Sequence, residues 1–295
     1  MEFDPKIGIS TALLRRGQNM LSVVEEFSKK GIRAFELCPN GNPVTTPEIR
    51  SLTHITRSEA LSITVHEVST YRITRDEERD FELHWQANKK AYDLAERVNA
   101  FYVVKHPFIK LGNQPVSPDL IASVFERLRQ RSPVLNSIET GVYRRVDAND
   151  NLTPFEIEDA RTPIEALKYL SQDNVTGITG DTGKMCRFRE NYTVGGKDLT
   201  SIFKYFGECR KNRVNINGVQ LVGTTRWPED VLATTLTLQG LLEYGYNSAI
   251  LFIDSKPERF EEMHKSVTQK IKEIGCRERR SLFASEPLGS QQIEL

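Results

Sequence analysis

Six short strand-like runs in this chain end on or carry groups that can do chemistry. Ile63-Thr64-Val65 runs into His66 and Glu67, Val103-Val104 into Lys105 and His106, and Asn136-Ser137-Ile138 into Glu139. Further on, Gly177-Ile178-Thr179-Gly180 ends on Asp181 with Lys184 three residues later, Val214-Asn215-Ile216-Asn217 carries two amides, and Leu251-Phe252-Ile253 ends on Asp254. Glu139, Asp181 and Asp254, with the amide oxygen of Asn215, offer oxygen ligands for one divalent cation. All-oxygen ligation suits magnesium or manganese, and an imidazole from His66 or His106 shifts the preference toward manganese or zinc. A cation held there polarises a carbonyl or hydroxyl while a carboxylate moves a proton at the adjacent carbon. Lys184 opens a metal-free alternative, in which its ammonium stands where the ion would stand and no cofactor is needed. A Schiff-base role for Lys184 requires a pKa depressed by burial. Lys105, Asn217, Arg226 and Trp227 are the candidate substrate contacts, Arg226 for a phosphate and Trp227 for a flat apolar face. Each group also has a plainer reading: a strand-end histidine as hydrogen-bonded structure, Glu139 as half of a salt bridge, Asp181 as a loop cap.

For these groups to meet, something must bring successive strand ends together. The pattern switches period repeatedly. Strands are expected at 6–11, 34–38, 61–66, 100–106, 133–139, 175–180, 213–217 and 248–254. Helices are expected at 19–30, from Thr46, at 75–99, 117–131, 162–170, 197–206, 227–244 and 257–274. Strand–helix alternation implies a parallel sheet, and eight repeats imply an α/β fold of the (β/α)₈, or TIM, barrel type. In that fold the C-terminal ends of the strands carry the site. An open doubly wound sheet is disfavoured, because Thr11-Ala12-Leu13-Leu14 replaces the glycine-rich turn after the first strand. One domain is expected over residues 1–295, with a polar insertion at 142–161 and a C-terminal tail at 276–295.

Composition narrows the partners. Lys+Arg and Asp+Glu number 40 each in 295 residues, so binding driven by bulk charge is disfavoured, whether to nucleic acid or to an anionic membrane. No apolar run is long enough to span a bilayer. The start of the chain lacks a secretory pattern. Cys38, Cys186, Cys209 and Cys276 form no Cys-x-x-Cys pair. A cytoplasmic protein acting on a small molecule is the expectation, with the oligomeric state left open.

The ordered set of phrases resembles the xylose-isomerase-like barrels, which include sugar-phosphate isomerases and epimerases and the zinc-type apurinic endonucleases. The phrases are Ile63-Thr64-Val65-His66, Val103-Val104-Lys105-His106-Pro107, Ile138-Glu139-Thr140-Gly141, Gly180-Asp181-Thr182-Gly183-Lys184, Val214-Asn215-Ile216-Asn217-Gly218 and Leu251-Phe252-Ile253-Asp254. The resemblance implies a cation held by a glutamate, an aspartate, a histidine and a glutamate on strands five to eight. Glu139 and Asp181 match. Asn215 stands where the histidine is usual, Asp254 where the last glutamate is usual, and Lys184 where the Asp-x-Gly-His phrase has histidine. An amide in place of imidazole and an ammonium near the site weaken cation binding. The reading is therefore an isomerase or epimerase working by proton transfer next to a carbonyl of a polyhydroxylated, sugar-like substrate, with one weakly held manganese or magnesium ion, zinc being less suited. Glu139, Lys184, His66 and His106 are its catalytic candidates. The rivals are a non-catalytic barrel that binds a ligand or protein and, more weakly, an endonuclease-like repair function.

Overall fold

A computed structural model describes residues 5–14, 18–39, 44–69, 72–73, 77–106, 109–110, 118–139, 175–185, 200–222 and 227–284. The barrel strands are β1 (Lys6–Ser10), β2 (Ala34–Leu37), β3 (Ser62–His66), β4 (Val103–Lys105), β5 (Asn136–Glu139), β6 (Val175–Asp181), β7 (Ile216–Val222) and β8 (Ile250–Asp254). Each pairs in parallel with its chain neighbours, and β1 pairs with β8 through Lys6↔Ile250 to Ile9↔Ile253, so the sheet closes into a (β/α)₈-type barrel. The strands are short and almost wholly buried, as expected of a parallel sheet covered on its outer face.

Helices surround the sheet: α1 (Met20–Lys29), α2 (Thr46–Ser58), α3 (Glu77–Val98), α4 (Pro118–Arg131), the four-residue α5 (Thr182–Met185), α6 (Thr200–Lys211), α7 (Trp227–Glu243) and α8 (Phe260–Ala284). Local sequence sets their ends. Asn19 caps α1 by accepting the Leu21 N–H. Thr45 caps α2 by accepting the Glu48 N–H, while the Glu48 carboxylate accepts the Thr45 N–H at 2.7 Å. The apolar stripes of these helices pack on the outward faces of the strands. Val24, Phe27, Leu52, Phe81, Trp85 and Leu94 cover one half of the barrel, and Ile202, Phe206, Leu238 and Leu241 cover the other. Phe27 of α1 meets Phe260 of α8 edge to face, with centroids 5.3 Å apart, across the seam where the barrel closes.

Inside, the lower end of the barrel is packed with Ala34, Ile250 and Phe252, with Tyr102 alongside; none is more than 7% exposed. Glycine makes that packing possible. A Cβ on Gly8 would lie 2.8 Å from Ala34, and one on Gly218 would lie 3.0 Å from both Phe252 and Tyr102. A polar layer sits above: Ser10, Glu36, Thr64, Ser137, Thr179 and Gln220, all buried. Ser137 Oγ lies 2.8 Å from Thr179 Oγ1, and the Glu36 carboxylate accepts from Ser10 Oγ at 2.8 Å and from the Gln220 amide at 3.0 Å.

Three features differ from the sequence reading. Strand seven runs 216–222 rather than 213–217, because inward-facing positions of a barrel accept glycine and polar residues that break an apolar pattern. The eighth helix continues to Ala284, so the first part of the expected tail is helical. Two short strands, Arg72–Ile73 and Ile109–Lys110, pair in parallel beyond β3 and β4 and have no counterpart in the sequence reading. The insertion at 142–161 and the helix at 162–170 lie outside the described residues.

Gly177 marks the tightest strand approach. Its φ is +145°, and a Cβ there would sit 2.4 Å from the Asn215 carbonyl oxygen, which accepts the Ile178 N–H at 2.9 Å. Register shifts flank it on both neighbouring strands. Gly177→Ala is expected to cost about 3 kcal/mol, backbone strain and overpacking together. Urea unfolding measures it, and a loss below about 1 kcal/mol would show that β6 and β7 can separate without penalty.

Candidate active site

Side chains alternate along a strand, and the alternation decides which strand-end groups reach the interior. His66 ends β3, His106 follows β4 and Glu139 ends β5, and all three point inward. Their ligand atoms lie within 4.8 Å of one another. Glu139 Oε1 is 3.8 Å from His66 Nε2, and Glu139 Oε2 is 3.4 Å from His106 Nε2. The two rings are 4.5 Å apart, centroid to centroid, at 60°. Glu139 is almost fully buried and His106 is 30% exposed at its side chain, so the cluster opens to solvent on the His106 side. Burial opposes charging of His66, but the Glu139 carboxylate, with the field of Glu36, outweighs it and lifts its pKa to about 9.

Asp181 and Asp254 close β6 and β8. Both sit low in the mouth, Asp181 buried and Asp254 nearly so. Burial, then the charges of Glu36 and Asp181, push the Asp254 pKa up to about 7, with His66 pulling the other way. The Oδ1 of Asp254 is buried and finds no hydrogen-bond partner among the described residues. Four carboxylates and two imidazoles therefore share one chamber. Two imidazoles and a carboxylate within one ion's reach, plus a buried carboxylate oxygen without a donor, fit a divalent cation with mixed nitrogen and oxygen ligands.

The other expected site residues fall elsewhere. Asn215 precedes β7 at the opposite end of the barrel and is exposed, so it cannot share an ion with Glu139. Asn217, the second residue of β7, lies below the mouth and donates to Ser137 Oγ at 3.1 Å. Lys105 points out of the barrel. It is fully buried against α3, bonded to Glu67 and His84, and cannot touch a substrate in the mouth. Lys184 is in α5, directly after Asp181, with its side chain outside the described residues. Arg226 is outside the described residues, as is the side chain of Trp227, which opens α7.

Glu36 was missed as a site group. Its signal was a lone charge in Ala34-Phe35-Glu36-Leu37, a strand too apolar to be half exposed. Gln220 lies three residues beyond the expected end of strand seven. Here its amide donates to both Glu36 oxygens at 3.0 Å, holding that carboxylate in place without neutralising it.

The raised Asp254 pKa makes a stability prediction for chelator-treated protein. The folded state keeps this proton up to about pH 7, whereas the unfolded chain releases it near 3.8. The contribution of Asp254 to stability therefore falls as pH rises from about 4 to about 7 and is absent above that. His84 has the opposite slope, because burial and Lys105 lower its pKa to about 3, so a comparison of variants isolates Asp254. Asp254→Asn is expected to melt higher than wild type at pH 8, with the advantage shrinking as pH falls toward 4. Equal melting temperatures at pH 8 would show that the carboxylate cluster is not under strain.

Similarity to known proteins is found at the level of structure. No protein-family model matches the sequence, and no curated protein is significantly similar to it. A D-tagatose 3-epimerase-like protein superposes with a TM-score of 0.61 at 16% identity, over 91% of this chain and 98% of the other. A xylose isomerase domain containing protein from Salmonella typhimurium gives 0.59 at 15%, over 92% and 99%. Endonuclease IV from Thermus thermophilus gives 0.61 at 14%, over 91% and 100%. The chain thus shares the barrel fold common to xylose-isomerase-like proteins, sugar epimerases and endonuclease IV.

Proposed function

We propose that this chain is a sugar isomerase or epimerase that moves a proton next to a carbonyl of a small polyhydroxylated substrate. The observation that carries the reading is the convergence of His66, His106 and Glu139 on one point beside Asp254, whose pKa is raised to about 7. The epimerase-like neighbour supports the reaction class, though fold likeness alone does not choose a chemistry. His66, His106 and Glu139 would hold a divalent cation, with Asp181 and Asp254 facing it. Two imidazoles favour manganese or zinc over the magnesium that an all-oxygen set would suit. Such an ion supplies Lewis-acid polarisation of the substrate oxygens.

The chain's own groups account for the rest. Asp254 is the acid/base: it ends β8 beside the cluster, and burial with the neighbouring carboxylates raises its pKa in the ion-free site. Asp181 and Glu36 keep that pKa high through their charge. His106, the more exposed imidazole, is the one nearest the entering hydroxyls. Lys184, Arg226 and Trp227 follow β6 and β7 at the mouth end and remain the candidates for contacts to the far end of the substrate. Should Lys184 take the ion's place, the same acid/base chemistry runs with its ammonium on the enediolate oxygen.

A second reading has one observation in its favour. Gln220, a polar group that β7 turns toward the chamber, has its amide committed to Glu36. A barrel that binds a sugar without turning it over fits that arrangement. Endonuclease-like repair is disfavoured by the balanced charge of 40 basic and 40 acidic residues.

Exchange of carbon-bound hydrogen separates these readings. Protein loaded with manganese is incubated with a panel of ketohexoses and ketopentoses in D₂O and followed by NMR. Deuterium is expected beside the carbonyl of at least one sugar, and Asp254→Asn is expected to slow incorporation by about 10²–10⁴-fold. Saturable sugar binding without exchange would establish the non-catalytic barrel. Glu139→Gln is expected to abolish manganese retention through gel filtration, and full retention would remove Glu139 from the ligand set.

A further inference from the structure

The residue after His66 touches both imidazoles of the cluster. The main-chain carbonyl of Glu67 is 3.1 Å from His66 Nδ1. Its carboxylate oxygen Oε1 is 3.0 Å from His106 Nδ1 and also accepts the His106 main-chain N–H at 2.6 Å. A carbonyl and an ionised carboxylate only accept hydrogen bonds. Each Nδ1 must therefore be the donor, and in the neutral ring the lone pair is left on Nε2. Both Nε2 atoms face Glu139.

Glu67 is itself held from behind. It is 2% exposed, at the wall between β3, β4 and α3. Its Oε2 takes the Lys105 ammonium, and Lys105 also meets His84 of α3. Asn88, one turn along α3, accepts the Val68 and Ser69 N–H groups at 2.8 and 3.0 Å and donates to the Ser69 carbonyl at 2.8 Å, which fixes the turn after β3. Burial disfavours charge on Glu67, and the Lys105 ammonium on its Oε2 compensates that charge. Replacing a buried ion pair by apolar residues of similar volume is often neutral or stabilising. Stability alone thus gives no reason to keep Glu67 and Lys105 in the wall. Their geometry toward the two histidines does.

We propose that Glu67 is a positioning residue: its main-chain carbonyl and its carboxylate set the Nδ1–H tautomer of His66 and His106 and aim both Nε2 atoms, with Glu139, at one divalent cation. Lys105 is the buried counterion of Glu67 and not a substrate contact. The inference rests on the cation reading of the preceding section. Carboxylate or carbonyl partners on the second nitrogen of a ligating histidine fix its orientation and raise its basicity.

The test removes the pair together, so that no buried charge is left alone. In the double variant Glu67→Leu/Lys105→Met, manganese affinity by isothermal titration is expected to fall about 10–100-fold, while circular dichroism reports the fold. Glu67→Gln/Lys105→Met keeps an acceptor without the charge, is the more certain of the two to fold, and is expected to lose about tenfold. Imidazole ¹⁵N spectra of chelator-treated protein at alkaline pH read the tautomers directly. Wild type is expected to show Nδ1–H at both His66 and His106, and the Leu/Met variant to lose it at His106 alone, because the His66 bond goes to the main chain. The proposal is overturned by an Nε2–H tautomer at His106 in wild type, or by manganese affinity within about twofold of wild type in whichever double variant folds, well short of the loss expected when such a partner is removed. Wild type that binds neither manganese nor zinc would sink the cation reading instead, and the tautomer spectra would still decide the role of Glu67.

Discussion

The pairing of β1 with β8 is the constraint on which everything else depends. Closure turns a row of parallel strands into a ring, so groups far apart in sequence become neighbours because they occupy equivalent strand ends. His66, His106 and Glu139 lie on three consecutive strands of that ring, and Asp254, 115 positions beyond Glu139 in the numbering, comes close enough to be shifted by its charge. Strand alternation then divides each end into two chemistries. Inward residues build the chamber, while Glu67 and Lys105, adjacent in sequence to the two histidines, face α3 and form a charged pair behind the wall.

Much of this was legible in the sequence, for identifiable reasons. The eight strand–helix repeats show in the changing apolar period, and His66, His106, Glu139, Asp181 and Asp254 are visible because polar groups ending apolar runs are conspicuous. The reading failed where a residue's direction, and not its position, decides its role. Lys105 and His106 are consecutive, and nothing in their types shows that one faces the chamber and the other a helix. Asn215 looked like a strand-end group because strand seven was placed too early. Gly218 and Gln220 interrupt its apolar pattern, and both are explained only by the crowded interior they face. Glu36 escaped notice because it stands in mid-strand, and only the closed barrel puts its carboxylate below the mouth.

The electrostatic imbalance of the chamber arises from the barrel interior and not from surface composition. The whole chain has equal numbers of acids and bases, yet the described chamber gathers Glu36, Glu139, Asp181 and Asp254 against two imidazoles. Separation of charge into a buried acidic pocket is costly unless something positive completes it. The raised pKa values of Asp254 and His66 express the same deficit from two sides: one group holds a proton it would ordinarily lose, and the other holds a proton longer than an exposed imidazole would. Cys38, beside Glu36, responds in the same way, its thiol pushed well up by burial and by that carboxylate.

The packed lower end of the barrel has a kinetic consequence. Among the described residues, Ala34, Tyr102, Ile250 and Phe252 fill the lower end of the barrel, so the polar chamber rests on a packed apolar floor. On the proposed reading, a substrate that enters from the strand-end side, where His106 is 30% exposed, would leave by that side as well. In such a site a product that lingers would exclude the next reactant by occupancy alone, with no second site required.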